Sequence, residues 1–270
     1  MLKKLIRYEF SSTYRFMLLI YSVLLGLSLM IGLGLRSELF ERLESMEKSF
    51  HFGDILLYIV GFGLLILFVI MSVVVMAGTF FYAIKRFYEN ILGNEGYLMH
   101  TLPVKHRDLV LSKTLVFVLW SMLSVIVMLI SYTILLLLGG GREVFEIIYF
   151  SLRDWIGATK PFHLTLFIVE GILVLAITYA QNYLHIYASM AMGFSRQRHR
   201  ILFSVLFYML LNFASSTIGR YFLFPMQFYD ASSIEMGHTY LFCTFVSGVV
   251  FSFVFYFIAE NFLRKKLNLL

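Results

Sequence analysis

The sequence predicts an all-α integral membrane protein with six transmembrane helices, and three observations carry that prediction. Of its 270 residues, 60% are hydrophobic and 14% are charged, whereas a soluble domain carries about 25% charged residues. Six apolar runs are long enough to cross hydrocarbon, which takes about 20 residues of helix. They fall at about 17–35, 55–84, 115–141, 163–195, 201–219 and 236–259; all are free of charge except the fourth, which is charge-free from Gly171 and has Glu170 inside its earlier start. With the N-terminus inside, fifteen of the 22 Lys and Arg residues lie in inner segments. That bias marks cytoplasmic segments and puts both termini in the cytoplasm. The net charge of +6 is then mainly a topology signal. A nucleic-acid partner is not expected, because the cations are split among short segments at the membrane edge. Six spans leave no room for a soluble domain, so the chain reads as one transmembrane domain, 1–270.

Residues 1–16, "MLKKLIRYEFSSTYRF", read as an amphipathic helix lying among lipid headgroups. Leu2, Leu5, Ile6, Phe10 and Phe16 fall on one side, and Lys3, Lys4, Arg7 and Arg15 on the other. Glu9 projects from the apolar side. It is either a carboxylate at the lipid edge or a buried partner for a basic residue of a neighbouring inner segment. The first run is too long for a cleaved signal peptide and is followed by charged residues. The outer segment after it, with Leu39, Leu43, Met46 and Phe50 at helical spacing, reads as a surface helix with an acidic face.

The third run ends at three glycines, 139–141, and an outer segment follows with Tyr149 and Trp155 suited to the membrane interface. The fourth run is the most polar, with Glu170, Thr178, Gln181 and His185. Eleven residues from Glu170 to Gln181 return close to the same helix face. Polar groups inside a membrane either bond helix to helix or face a route or gate, and both readings apply to these four. Small residues near Asn212–Gly219 suit a packing or dimer face. Pro225 and Gly237 punctuate the next stretch, which reads as interfacial or re-entrant pieces.

Catalytic signatures are missing. There is no phosphate-binding G-x-x-x-x-G-K-[ST] loop, no H-E-x-x-H and no G-x-S-x-G. The histidines do not fall at metal-ligand spacing, so no metal and no cofactor are expected in this chain. The single cysteine, Cys243, cannot form an internal disulfide.

The inner segment between the second and third runs stands out, because a loop joining two spans needs only a few residues. "KRFYENIL" continues the second helix, and Gly93–Asn94 is expected to stop it through a left-handed helix end. "EGYLMHTL" is a short amphipathic piece, Pro103 breaks the chain, and "KHRDLVLSK" starts a helix that enters the third run. The segment thus mixes apolar anchors, Tyr97, Leu98 and Leu102, with a rim of Lys105, His106 and Arg107.

"NEGYLMHTLPVKHRDLVLSKTL" resembles the segment between the second and third spans of ABC-2-type exporter permeases. There a Glu-x-Tyr-Leu stretch, then Leu-Pro-Val, basic residues and a Leu-x-x-x-Lys helix start recur. "KKLIRYEF" is similar to the elbow helix of that family, including its glutamate. Lys105 departs from the pattern, since relatives often place Ser there as a helix cap. The resemblance implies a coupling helix that touches a separate ATPase subunit, with Glu95, Tyr97, Leu98, Leu102, Pro103, Lys105, His106 and Arg107 at the interface. It further implies a pair of permeases, homo- or heterodimeric, working with two ATPase subunits, which would hold the ATP and Mg. Export across a bacterial plasma membrane is the implied function, and this chain itself is expected not to be an enzyme. The aromatic-rich walls suit peptides, lipid-like amphiphiles and drugs alike. A membrane sensor or scaffold that docks a soluble partner through the same segment is the alternative.

Overall fold

The computed structural model describes residues 2–36, 52–93, 96, 105–139, 146–147, 149–151, 153, 161–196, 198–223 and 234–265. They form six long helices: α1 (Leu2–Arg36), α2 (Phe52–Phe87), α3 (His106–Leu138), α4 (Pro161–Phe194), α5 (Arg200–Phe222) and α6 (Ile234–Lys265). Among the described residues there is no strand. Each helix is long and apolar enough to cross a membrane, and each predicted run maps onto one of them. The chain is a multi-pass membrane protein. Helix is the expected form for such runs, because it satisfies every backbone polar group within the segment where no water is available.

The N-terminal stretch read as an elbow helix is the opening of α1 and is continuous with the first span. No Gly or Pro interrupts it before Gly26, so nothing breaks the backbone hydrogen bonding. Its buried face also differs from the expected one. Glu9, Thr13, Met17, Ile20, Tyr21 and Leu24 are buried, while Phe10 and Phe16 are exposed. A continuous helix carries the stripe of the span back through Glu9 and Thr13, and hydrogen bonding rather than hydropathy decides which side faces inward.

The described residues fall into two compact units. The first comprises Met1–Ser12, Phe80–Leu119 and Phe162–Leu270, and the second Thr13–Thr79 and Trp120–Pro161. The second unit is held by hydroxyls. Tyr21 donates to the Trp120 carbonyl at 2.9 Å and lies 2.8 Å from Ser124 Oγ. Thr79 Oγ1 lies 3.0 Å from the same Ser124 oxygen, and the Trp120 indole donates to Thr13 at 2.9 Å. These bonds tie α1, α2 and α3 without a charge.

The first unit packs through rings and glycines. Phe87 stacks on Tyr187 with centroids 4.0 Å apart and planes 6° from parallel. Tyr183 meets Phe80 and Phe117 at about 6 Å. Helices α4 and α6 approach where Gly237 faces the Phe167 ring and Gly248 faces Ile177. Helices α4 and α5 touch at Gly193, where a Cβ would sit 2.5 Å from the Ser204 amide nitrogen and closer still to its hydroxyl. In lipid such contacts matter, because helices gain little by hiding apolar side chains from one another.

Gly193→Ala therefore forces α5 away from α4, and overpacking of this kind typically costs about 1–3 kcal/mol. The expected result is a lowered thermal midpoint of the purified protein in detergent. Gly171→Ala, where a Cβ meets nothing within 4 Å, leaves the midpoint unchanged or raises it.

Candidate functional site

Helix α2 does not end in the left-handed glycine cap that the sequence suggests. It widens into a π-helical turn, Tyr88–Leu92, closed by the Gly93 amide donating to the Tyr88 carbonyl at 2.7 Å. Gly93 is extended, with φ −89° and ψ −161°. Glycine is needed there for close approach rather than for a positive φ, since a Cβ would lie 3.1 Å from the Glu89 carbonyl oxygen. The Gly96 amide donates to the Gly93 carbonyl at 2.9 Å, and a Cβ on Gly96 would strike the carbonyl of Ile91. Asn90, Ile91 and Leu92 are buried. π-Helical turns often mark functional sites.

On the far side of the segment, α3 starts at His106. The Lys105 carbonyl accepts from the amides of Asp108 and Leu109 at 2.9 and 3.4 Å. The helix begins where the sequence places it without a capping side chain at position 105. Lys105 and Arg107 are exposed and His106 is half-buried. Glu95, Tyr97, Leu98, Leu102 and Pro103 lie outside the described residues.

Both edges of the segment converge on Glu9. Its carboxylate accepts from Lys113 Nζ at 2.5 Å through one oxygen and from Arg86 Nε at 3.3 Å through the other. Arg86 also donates to the Ser12 hydroxyl. Glu9 and Lys113 are almost wholly buried, and Arg86 is 18% exposed. Of the two readings of Glu9, the structure shows the buried partner. One carboxylate thus faces two cations, one just before the 87–112 segment and one just after it. In the sequence Arg86 is not distinguished from the other basic residues, and Lys113 stands out only as the helix-start lysine of the resemblance. The available signal was three charges at the edges of apolar runs, where a long side chain can reach inward.

The polar residues of α4 do not converge on one point. Glu170 Oε2 lies 2.7 Å from His238 Nδ1 on α6, and His238 Nε2 lies 3.3 Å from His163 Nδ1. Phe167 stacks on the His238 ring at 3.9 Å. This carboxylate–imidazole–imidazole chain was not foreseen, because His163 and His238 are 75 residues apart. Gln181 faces α6 beside Gly248, on the side that also carries Glu170. Thr178 is exposed. His185 is buried and sandwiched between Tyr208 and Phe255, with ring centroids at 4.5 and 4.7 Å. Among the described residues, no group of three or more His, Cys, Asp and Glu is arranged to hold a metal ion.

Comparison with known proteins adds no relative: no family, no curated protein and no solved structure matches this chain.

Removing one partner of a buried ion pair is strongly destabilising, by about 3–5 kcal/mol. Glu9→Ala takes away the carboxylate that both cations face and should destabilise the protein by roughly that amount. Arg86→Ala removes the more exposed cation and should cost clearly less. Chaotrope unfolding in detergent, followed by circular dichroism, ranks the two.

Proposed function

We propose that this chain is the permease subunit of an ATP-driven ABC-2-type exporter, paired with a second permease and served by two separate ATPase subunits. The observation that carries this reading is the contact between Glu9 and Lys113. These are the elbow glutamate and the helix-start lysine of the resemblance, 104 residues apart in sequence. Two motifs identified separately along the chain meet at one ion pair.

The mechanics fit the same reading. A segment that takes a push from an ATPase must pass the load to helices rather than flex. Here Arg86 and Lys113 tie both of its edges to α1, Phe87 stacks on Tyr187 of α4, and Tyr88 meets Phe194 of α4 edge-on at 5.6 Å. Displacing the segment therefore displaces the ends of four helices. Nucleotide and Mg belong to the partner, which contributes hydrolysis, while this chain contributes the pathway and the lever. Tyr97, Leu98 and Leu102 are the apolar anchors of the docking surface, and Lys105, His106 and Arg107 form its basic rim, the usual make-up of an interface. The inner side of the membrane receives this face, as the Lys and Arg bias requires.

Co-expression with an ATPase encoded beside the gene, followed by affinity purification, tests the proposal. Truncating a central anchor commonly costs at least about 2 kcal/mol, or roughly thirtyfold in affinity. Tyr97→Ala combined with Leu98→Ala should therefore release the ATPase, or uncouple its turnover, while the membrane helices stay folded. Full retention of the partner and of transport by the double variant removes the coupling role. Orientation is checked separately: a cysteine at Ser151 should react with impermeant reagent in intact cells, and one at Asn94 should not.

A further inference from the structure

Within the first unit, α2, α4 and α5 leave an open groove of ≈ 600 Å³, within the range of about 300–1,000 Å³ typical of small-molecule sites. Its walls include Phe80 and Ile84 of α2, Met190 and Phe194 of α4, and Val205 and Tyr208 of α5. The two serine hydroxyls on its walls are already used. Ser189 donates to the Ile186 carbonyl at 2.8 Å and Ser204 to the Arg200 carbonyl at 2.9 Å. A polar solute would find few partners in such walls and would be penalised for losing water, whereas hydrocarbon would not.

The groove is also of leaflet depth. Its walls run from Phe80 to Tyr88 on α2 and from Ile186 to Phe194 on α4. Each is about 12 Å of helix, against roughly 15 Å for half of the hydrocarbon core. One end is basic. Lys85 stands exposed at the lip, with Glu89 at 3.8 Å. The Arg200 guanidinium sits 5.9 Å over the ring of Phe194, which lines the groove. The short α4–α5 link makes this possible, because His199 adopts the left-handed conformation, φ 56° and ψ 42°, and turns the chain at once into α5.

An apolar slot of leaflet depth with cations at its headgroup end matches one chemistry, an amphiphile with an anionic head. We propose that the groove binds one acyl chain of an anionic phospholipid of the surrounding bilayer, its phosphate held by Lys85 and Arg200. Guanidinium groups suit this role because they donate two parallel hydrogen bonds to a phosphate. A second copy of this chain would offer apolar surface to the walls, but it carries a net charge of +6 towards a lip that is already basic.

The test is titration of the delipidated protein in detergent with palmitoyl-oleoyl phosphatidylglycerol or phosphatidylcholine, read by native mass spectrometry. One phosphatidylglycerol per chain should bind at least about tenfold more tightly than phosphatidylcholine. Each cation near a membrane surface is worth about fivefold. Lys85→Gln and Arg200→Gln should therefore each weaken phosphatidylglycerol about fivefold, and together about twenty-five-fold, with phosphatidylcholine unchanged. Val205→Trp, which fills the slot, should weaken both lipids. Equal affinity for the two lipids overturns the proposal, as does phosphatidylglycerol binding that survives every variant. A dimer that forms only in the absence of lipid and is lost in Val205→Trp overturns it too, by identifying a second copy as the occupant.

Discussion

The buried carboxylate of Glu9 is the constraint around which the basic end of this protein is arranged. An ionised carboxylate removed from water costs several kcal/mol unless close, well-directed partners replace the lost hydration. Lys113 and Arg86 supply them, one to each oxygen. Neither cation could remain buried without the carboxylate, so the three positions specify one another. The start of α1, the end of α2 and the start of α3 are thereby fixed in register.

Away from that cluster the helices adhere by other means, as membrane helices must. Interhelical hydrogen bonds between neutral groups average about 0.6 kcal/mol, so a network is needed where a single bond would not suffice. The Tyr21–Ser124–Thr79 and Trp120–Thr13 bonds form such a set in the second unit. In the first unit, close backbone approach at Gly193 and the stacked rings of Phe87 and Tyr187 supply the dispersion contacts instead. The Glu170–His238–His163 chain is a third solution, in which imidazoles bridge a carboxylate from α4 to α6.

These features bear on function through stiffness. The segment between α2 and α3 begins in a π-helical turn whose Ile91 and Leu92 are buried and ends in a helix whose Lys113 is ion-paired to α1. A loop that merely joined two spans would need neither. The groove beside it is built from the same helix ends, with Tyr88 and Phe194 lining it, so a lipid seated there would contact the residues that the proposed lever moves.

The sequence by itself determined the class and the number of spans. Hydropathy and charge are local properties summed over about 20 residues, and a membrane leaves helix as the one available answer for each run. It also marked the polar segment before α3 and noticed that Glu9 broke the apolar face of its helix. Only the tertiary structure decided what Glu9 does, because its partners lie 77 and 104 residues away and no periodicity connects them. The same holds for His163 with His238 and for Gly193 with Ser204. It also decided that the N-terminal helix and the first span are one, and that Gly93 serves a close approach rather than a left-handed turn. Local propensity describes what a residue tolerates, whereas packing selects which tolerance is used.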